Sequence, residues 1–308
     1  MRNEVKKIKE FPFITAENAK IFHIYKQEAK MTNTLKSIDP KMLARIQALR
    51  LMDDDFMTVV FDGDNEATEF LLRILLDRND LRVKSVMTQK EKRNLFGRSV
   101  KLDILAEDFN GKKYNVEVQR ADAGASPKRV RYNLAMLDSH MLRKNDDFDK
   151  LPETYIIFIT EDDYWECGKA IYRVVKEVDC ADEHGDKLPF EDGCNIIYAN
   201  GAYRGNDALG RLMHDFCTPN ADEMNYGELA EKVRYHKQEE KGVENMCRIV
   251  EEYGDERAAE ARAEGEKKGK MSAYFELIKE GLLSISAAAS KLGMSEEAIK
   301  QQMAAMPQ

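Results

Sequence analysis

Two short runs hold the side chains best suited to chemistry. The first is Lys101-Leu102-Asp103-Ile104-Leu105-Ala106-Glu107, and the second is Lys112-Lys113-Tyr114-Asn115-Val116-Glu117-Val118-Gln119. Between them lies Asp108-Phe109-Asn110-Gly111, and Asn-Gly between alternating runs marks a β-hairpin. A two-residue turn centred on Asn110-Gly111 would set Asp103 opposite Val118 and Ile104 opposite Glu117. A three-residue loop with Gly111 in the left-handed conformation sets Asp103 opposite Glu117, Ile104 opposite Val116, Leu102 opposite Val118 and Ala106 opposite Tyr114. A slip of one residue exchanges the faces of a strand. The three-residue loop collects Leu102, Ile104, Ala106, Tyr114, Val116 and Val118 on one face. It leaves Lys101, Asp103, Asn115, Glu117 and Gln119 on the other, with Leu105 as the misfit. The two-residue turn buries a carboxylate beside an isoleucine, which is costly. The three-residue loop is therefore expected, with the carboxylates side by side on the wet face and their β-carbons about 5 Å apart.

Adjacent anions repel, and a chain that keeps them needs a compensating cation. Two hard oxygen ligands select Mg²⁺, with Mn²⁺ as an alternative. The competing reading is a solvent-facing acidic pair neutralised by Lys101 or Lys113, and spacing alone does not choose between the two.

The elements that must carry this hairpin can be traced along the chain. Residues 1–40 are polar and read as an N-terminal arm. Pro40–Met52 has helical spacing in Met42, Leu43, Ile46 and Leu49. A second helix is predicted from about Asn65 to Leu76, capped by Asp64 or Asn65, with Phe70, Leu71, Ile74 and Leu75 as its apolar stripe. Val83–Val86 is a candidate strand. Ser126-Pro127 opens a third helix, with Ser as cap and Pro at the first helical position; Val130, Leu134, Leu137 and Met141 form its core stripe. Tyr155–Thr160 is a continuous apolar run suited to the middle of a sheet, and Ile171–Lys176 and Asn195–Ala199 are further strands. Residues 223–270 are charged and helical. The tail from Ser284 to Ile299 has a helix, Gly293, then a Ser-capped helix, which is a helix-turn-helix cadence. The expected domains are an arm (1–40), an α/β domain (41–222), a charged helical connector (223–270) and a small helical tail (271–308).

The chain has 308 residues, 43% hydrophobic and 34% charged, and a net charge of −8. That composition excludes a collagen-like or wholly disordered chain. No run reaches the ~18 apolar residues of a spanning helix, and the first ten residues lack the apolar block of a secretory signal. The five cysteines are odd in number and fit neither a zinc knuckle nor a disulfide framework. A reduced, cytoplasmic protein with no membrane partner is expected. The overall acidity argues against a nucleic-acid partner, yet Arg82–Arg131 holds 13 Lys/Arg against 6 Asp/Glu.

Arg98-Ser99-Val100-Lys101-Leu102-Asp103 through Glu117-Val118-Gln119-Arg120 resembles the PD-(D/E)XK nuclease superfamily, in particular its branch of PD-(D/E)XK family transposases, or recombination-promoting nucleases. Other pieces are similar to the same branch: Asp53-Asp54-Asp55-Phe56-Met57, Gly97-Arg98-Ser99, Lys128-Arg129-Val130-Arg131-Tyr132-Asn133, Leu151-Pro152-Glu153-Thr154-Tyr155, and Tyr198-Ala199-Asn200-Gly201-Ala202-Tyr203-Arg204-Gly205. The resemblance spans roughly residues 45–250. It implies an α/β, restriction-endonuclease-like fold, with a mixed sheet flanked by helices and a helical C-terminal extension. It implies Asp103 and Glu117 as metal ligands; the mechanism expected from them is that of a Mg²⁺-dependent endonuclease acting on DNA and linked to recombination or mobile elements, with the carbonyl of Val118 as a further ligand.

Gln119 stands where the family motif usually has Lys. A Gln amide brings no positive charge and no base, but it can orient a water. The acid that such sites draw from a preceding helix is assigned here to Glu69, with Glu66 as the alternative. Lys128 and Arg131, then Arg129 and Tyr132, are the candidates for phosphate binding at a helix N-terminus. Two other readings compete: a catalytically degenerate nuclease fold that binds nucleic acid or protein, and a scaffold that forms homo-oligomers through its C-terminal helices.

Overall fold

A central strand with four consecutive apolar side chains organises the molecule. In the computed structural model, which describes residues 38–92, 99–120 and 124–305, Thr154–Thr160 (β4) carries Ile156, Ile157, Phe158 and Ile159, all fully buried. A strand apolar on both sides must be covered on both sides. β4 lies between two parallel neighbours, Lys113–Gln119 (β3) and Cys194–Asn200 (β8). The six-stranded sheet has the order β1-β2-β3-β4-β8-β5, completed by Val83–Lys92 (β1), Val100–Asp108 (β2) and Ile171–Arg173 (β5). β1–β2, β2–β3 and β5–β8 are antiparallel, so the sheet is mixed. Glu177–Ala181 (β6) and Lys187–Pro189 (β7) form a separate exposed hairpin.

Helices cover the sheet. Pro40–Ala48 (α1) is shorter than its apolar spacing predicts, because Leu49 turns to extended backbone and Arg50–Asp53 closes a turn. Asp54–Phe61 (α2) follows, a helix absent from the sequence reading. Asn65–Leu76 (α3) starts at the expected residue, with the Asp64 side chain accepting from the Ala67 N–H. Pro127–Asp138 (α4) starts at the expected Ser-Pro, the Ser126 hydroxyl accepting from the Arg129 N–H. Val130 and Leu137 of α4 pack with Leu102, Leu105, Ile156, Phe158 and Tyr198. Ala208–Cys217 (α5) and Gly227–Gln238 (α6) complete this region, and α2 and α3 pack against β1 and its neighbours. α6 is locked in by Lys237, whose buried ammonium donates to the carbonyls of Gln47, Leu49 and Pro219.

The chain divides into two compact units between Asn245 and Met246, within the 40-residue helix Glu240–Lys279 (α7). In the second unit Phe275 packs with Ala288 and Ala289 of Ile285–Leu292 (α8) and Ile299 of Glu296–Ala305 (α9). Gly293 ends α8 in the left-handed conformation (φ 63°), and the Ser295 hydroxyl caps α9 by accepting from the Ala298 N–H. Among the described residues no helix is long and apolar enough to cross a membrane. The N-terminal arm up to residue 37 and Gly97-Arg98 of the quoted motifs lie outside the described residues.

Candidate active site on the β2–β3 hairpin

The hairpin turn decides which side chains meet. Asp108 Oδ1 accepts from the N–H groups of Asn110 and Lys112, both at 2.9 Å, and its Oδ2 accepts from the Tyr114 hydroxyl at 3.0 Å. Gly111 takes φ +83°, the left-handed conformation a three-residue loop requires. The register follows: Glu107 opposite Lys113, Ala106 opposite Tyr114, Leu105 opposite Asn115 and Ile104 opposite Val116. This is the predicted register, and one step further along it Asp103 faces Glu117.

At that step side chains replace the backbone ladder. The Val118 N–H donates to Asp103 Oδ2 (3.2 Å), and the Asp103 N–H donates to Glu117 Oε1 (3.4 Å). The Asn115 amide donates to Glu117 Oε1 (2.9 Å) and to the Ile104 carbonyl (3.2 Å). Glu117 Oε2 is buried and, among the described residues, accepts no hydrogen bond. Its counter-charge is Arg129, whose Nη2 lies 3.5 Å away, while Nη1 of the same guanidinium donates to Gln119 Oε1 at 3.0 Å.

The expectation that the pair sits on a wet face is corrected by its burial: Asp103 is 8% exposed and Glu117 0%. The cause is α4, which lies over this face. Leu105, the misfit of the alternation, belongs with Leu137 and Val130 to the apolar cluster that seals it. Leu102 joins the same cluster although it is three residues from Leu105, on the other side of the point where the ladder gives way. Burial pushes the acidity of both carboxyls in the protonated direction. Asp103 is raised well above the usual carboxylate range by desolvation, then by Glu117 and by Asp54. Glu117 is raised to about 7, chiefly by desolvation, against the pull of the Asn115 amide and Arg129. Lys113 does not neutralise the pair, because it is bound to Glu107.

Asp54, at the start of α2, was missed in the sequence. Its field acts on both Asp103 and Glu117. The visible signal was the run Asp53-Asp54-Asp55, but nothing in it says that the exposed Asp54 is the one whose charge the pair feels. Asp53 is taken by Arg120 at 2.9 Å and by Arg50 at 3.5 Å. Arg50 also holds Glu161 (2.7 Å), next to the β4 end. These ion pairs fasten the α2 start to the ends of β3 and β4 and bring Asp54 to the site.

Glu69 lies elsewhere. Its carboxylate accepts from the Val83 N–H (2.9 Å) and pairs with Arg82 (3.0 Å) and Arg73 (2.5 Å). Val83 pairs with Asp108, five residues along β2 from Asp103, or roughly 16 Å at strand rise. The α3 acids therefore serve the turn end of the sheet: Glu66 is exposed on the first turn of α3, and Asn65 beside it donates to the Lys84 carbonyl. Among the four candidate phosphate binders, Arg129 reaches the pair; Lys128 and Arg131 are exposed on the same turns, and Tyr132 is half-buried. Among the described residues no three Asp, Glu, His or Cys side chains converge closely enough to hold a metal by themselves.

Residues 62–200, which contain the hairpin, β4, α4 and β8, match the family described as PD-(D/E)XK nuclease family transposase. That match covers 139 of the 308 residues. Comparison with curated proteins and with solved structures gave no match. The match to a PD-(D/E)XK nuclease family supports nuclease function of mobile-element type, on a nucleic-acid substrate, and that family generally uses divalent metals. The mixed sheet flanked by helices is consistent with that fold.

Proposed function

We propose that this chain is a metal-dependent endonuclease that hydrolyses phosphodiester bonds in DNA, with Mg²⁺ or Mn²⁺ held by Asp103, Glu117 and the Val118 carbonyl. The observation that carries the reading is the buried Asp103–Glu117 pair with Glu117 Oε2 lacking a donor. Two desolvated carboxylates in contact are costly unless protonated or bridged by a cation. Mg²⁺ is commonly held by only one or two carboxylates and keeps several waters, so two acids and a carbonyl suffice. The donor set fits.

When bound, the ion would acidify a water and stabilise charge on the departing oxygen. The chain's own groups have separate work. Val118 and Asn115 fix the carboxylates by donating to Asp103 and Glu117. Asp54 adds negative field from α2. The Gln119 Oε1 is occupied by Arg129, leaving its NH₂ group to orient a water or a phosphate oxygen. Arg129, Lys128 and Arg131 stand in the first turns of α4, where the helix dipole also favours an anion, and Tyr132 offers a hydroxyl. These are the proposed phosphate contacts.

A second reading, a fold that binds nucleic acid without cutting it, draws on Arg129: it already offsets part of the Glu117 charge without any metal. Nicking of supercoiled plasmid in Mg²⁺ or Mn²⁺ separates the two. Cleavage that disappears in both Asp103→Ala and Glu117→Ala is the expected result. Cleavage surviving both substitutions removes the assigned site; pure wild-type protein that binds DNA but leaves it intact supports the binding module.

A further inference from the structure

The contact between Arg129 and Glu117 is weak in a place where a permanent ion pair would be strong. In a dry site a guanidinium normally forks onto a carboxylate with two short hydrogen bonds. Here Arg129 Nη2 stays 3.5 Å from an Oε2 that accepts none, and the bonded partner of the guanidinium is the Gln119 amide at 3.0 Å. Arg129 is 41% exposed while Glu117 is fully buried, so the cation stands on the border between the sealed pair and solvent.

The backbone makes room for this arrangement. A β-carbon at Gly124 would fall 1.3 Å from Gln119 Oε1, 2.3 Å from its Cδ and 3.0 Å from Arg129 Nη1. Any side chain at 124 forces the Gln119 amide out of its place and takes the tether from Arg129. Gly124 has no positive φ to account for it, so the close approach of Gln119 is the physical demand at this position.

We propose that Arg129 is a transferable counter-ion. Without metal its guanidinium offsets the Glu117 charge; when a divalent cation takes Glu117, the two positive charges repel and Arg129 is handed to a DNA phosphate, with the Gln119 amide as its pivot. This rests on the metal reading above. The path is short, because Lys128 and Arg131 are exposed on the same first turns of α4. Arg129 and the metal thus compete for one carboxylate oxygen, while Arg129 and the metal cooperate on substrate.

That double relation predicts effects of opposite sign, which a purely structural arginine does not give. In calorimetric titration of metal-free protein with Mn²⁺, Arg129→Ala is expected to tighten binding roughly three- to tenfold, since a competing cation has gone. The same variant is expected to lose plasmid cleavage at saturating Mn²⁺, with Arg129→Lys restoring part of it. Gly124→Ala is expected to lower cleavage without weakening Mn²⁺ binding. In the metal-free protein, thermal melts of Arg129→Ala, Glu117→Gln and the double variant should be non-additive, with Glu117→Gln rescuing the loss caused by Arg129→Ala. An Asp103-dependent Mn²⁺ isotherm unchanged or weakened by Arg129→Ala overturns the counter-ion alone. Wild-type protein showing no Asp103-dependent isotherm overturns the metal reading and the counter-ion together.

Discussion

The two ends of the β2–β3 hairpin treat carboxylates in opposite ways. At the turn end Glu107 is held by Lys84 at 2.8 Å and by Lys113, and Asp108 accepts from two backbone N–H groups and the Tyr114 hydroxyl. The Lys113 and Lys84 ammonium groups draw Glu107 below its usual range. At the open end Asp103 and Glu117 share backbone donors, one Asn amide and one loosely placed guanidinium, and both are pushed up. The same two strands, a few residues apart, carry acids that stabilise the fold and acids that cost it. Partners decide which is which. A turn acid that satisfies N–H groups strengthens the hairpin, whereas a buried acid with an empty lone pair stores a demand for a cation.

The largest effect is expected at the open end: Asp103→Ala or Glu117→Ala should reduce plasmid cleavage by about 10³-fold or more, while leaving the melting temperature of metal-free protein equal or higher. At the turn end the signs reverse. Asp108→Ala orphans Tyr114 and two N–H groups and should cost about 3 kcal/mol in a denaturant titration, with cleavage per folded molecule retained.

Glu117 holds its proton up to about 7 in the folded chain, whereas an unfolded Glu releases it near 4.3. Between those values the folded state binds the extra proton, so metal-free stability should fall as pH rises from 5 to 8, by on the order of 2 kcal/mol. Glu117→Gln should flatten that slope, which urea titrations at several pH values would register. Asp54→Asn should weaken Mn²⁺ binding about tenfold, from one lost unit of nearby negative charge. The smallest change is expected for Glu69→Gln: about 1 kcal/mol of stability from its Arg73 and Arg82 pairs, and cleavage within twofold of wild type. A tenfold loss of cleavage there would move the site to the turn end and erase the contrast.

Much of this was legible in the residues. Asn110-Gly111 with flanking alternation led to the register, because only one pairing keeps Ile104 and Val116 on the same side. Asp64 or Asn65, and Ser126-Pro127, marked two helix starts, since a cap needs a side-chain acceptor, joined in the second case by a proline at the first helical position. Ile156–Ile159 announced a central strand because no polar atom in it could face water. The family resemblance was carried chiefly by residues 98–120 and by further motifs along the chain, and it agrees with the match over residues 62–200.

Other features required chain segments far apart in sequence to meet. That Asp103 and Glu117 lie opposite each other is local, a matter of strand period and turn length. That they are dry follows only from α4 closing over them, and a strand pattern does not say what covers its polar face. Asp54 and Arg129 reach the pair from helices 49 and 26 residues before and after Asp103, oriented by the Arg50–Asp53–Arg120 pairs in one case and by Gln119 over the bare Gly124 backbone in the other. Charge at a distance depends on where side chains end, and those endpoints were set by packing.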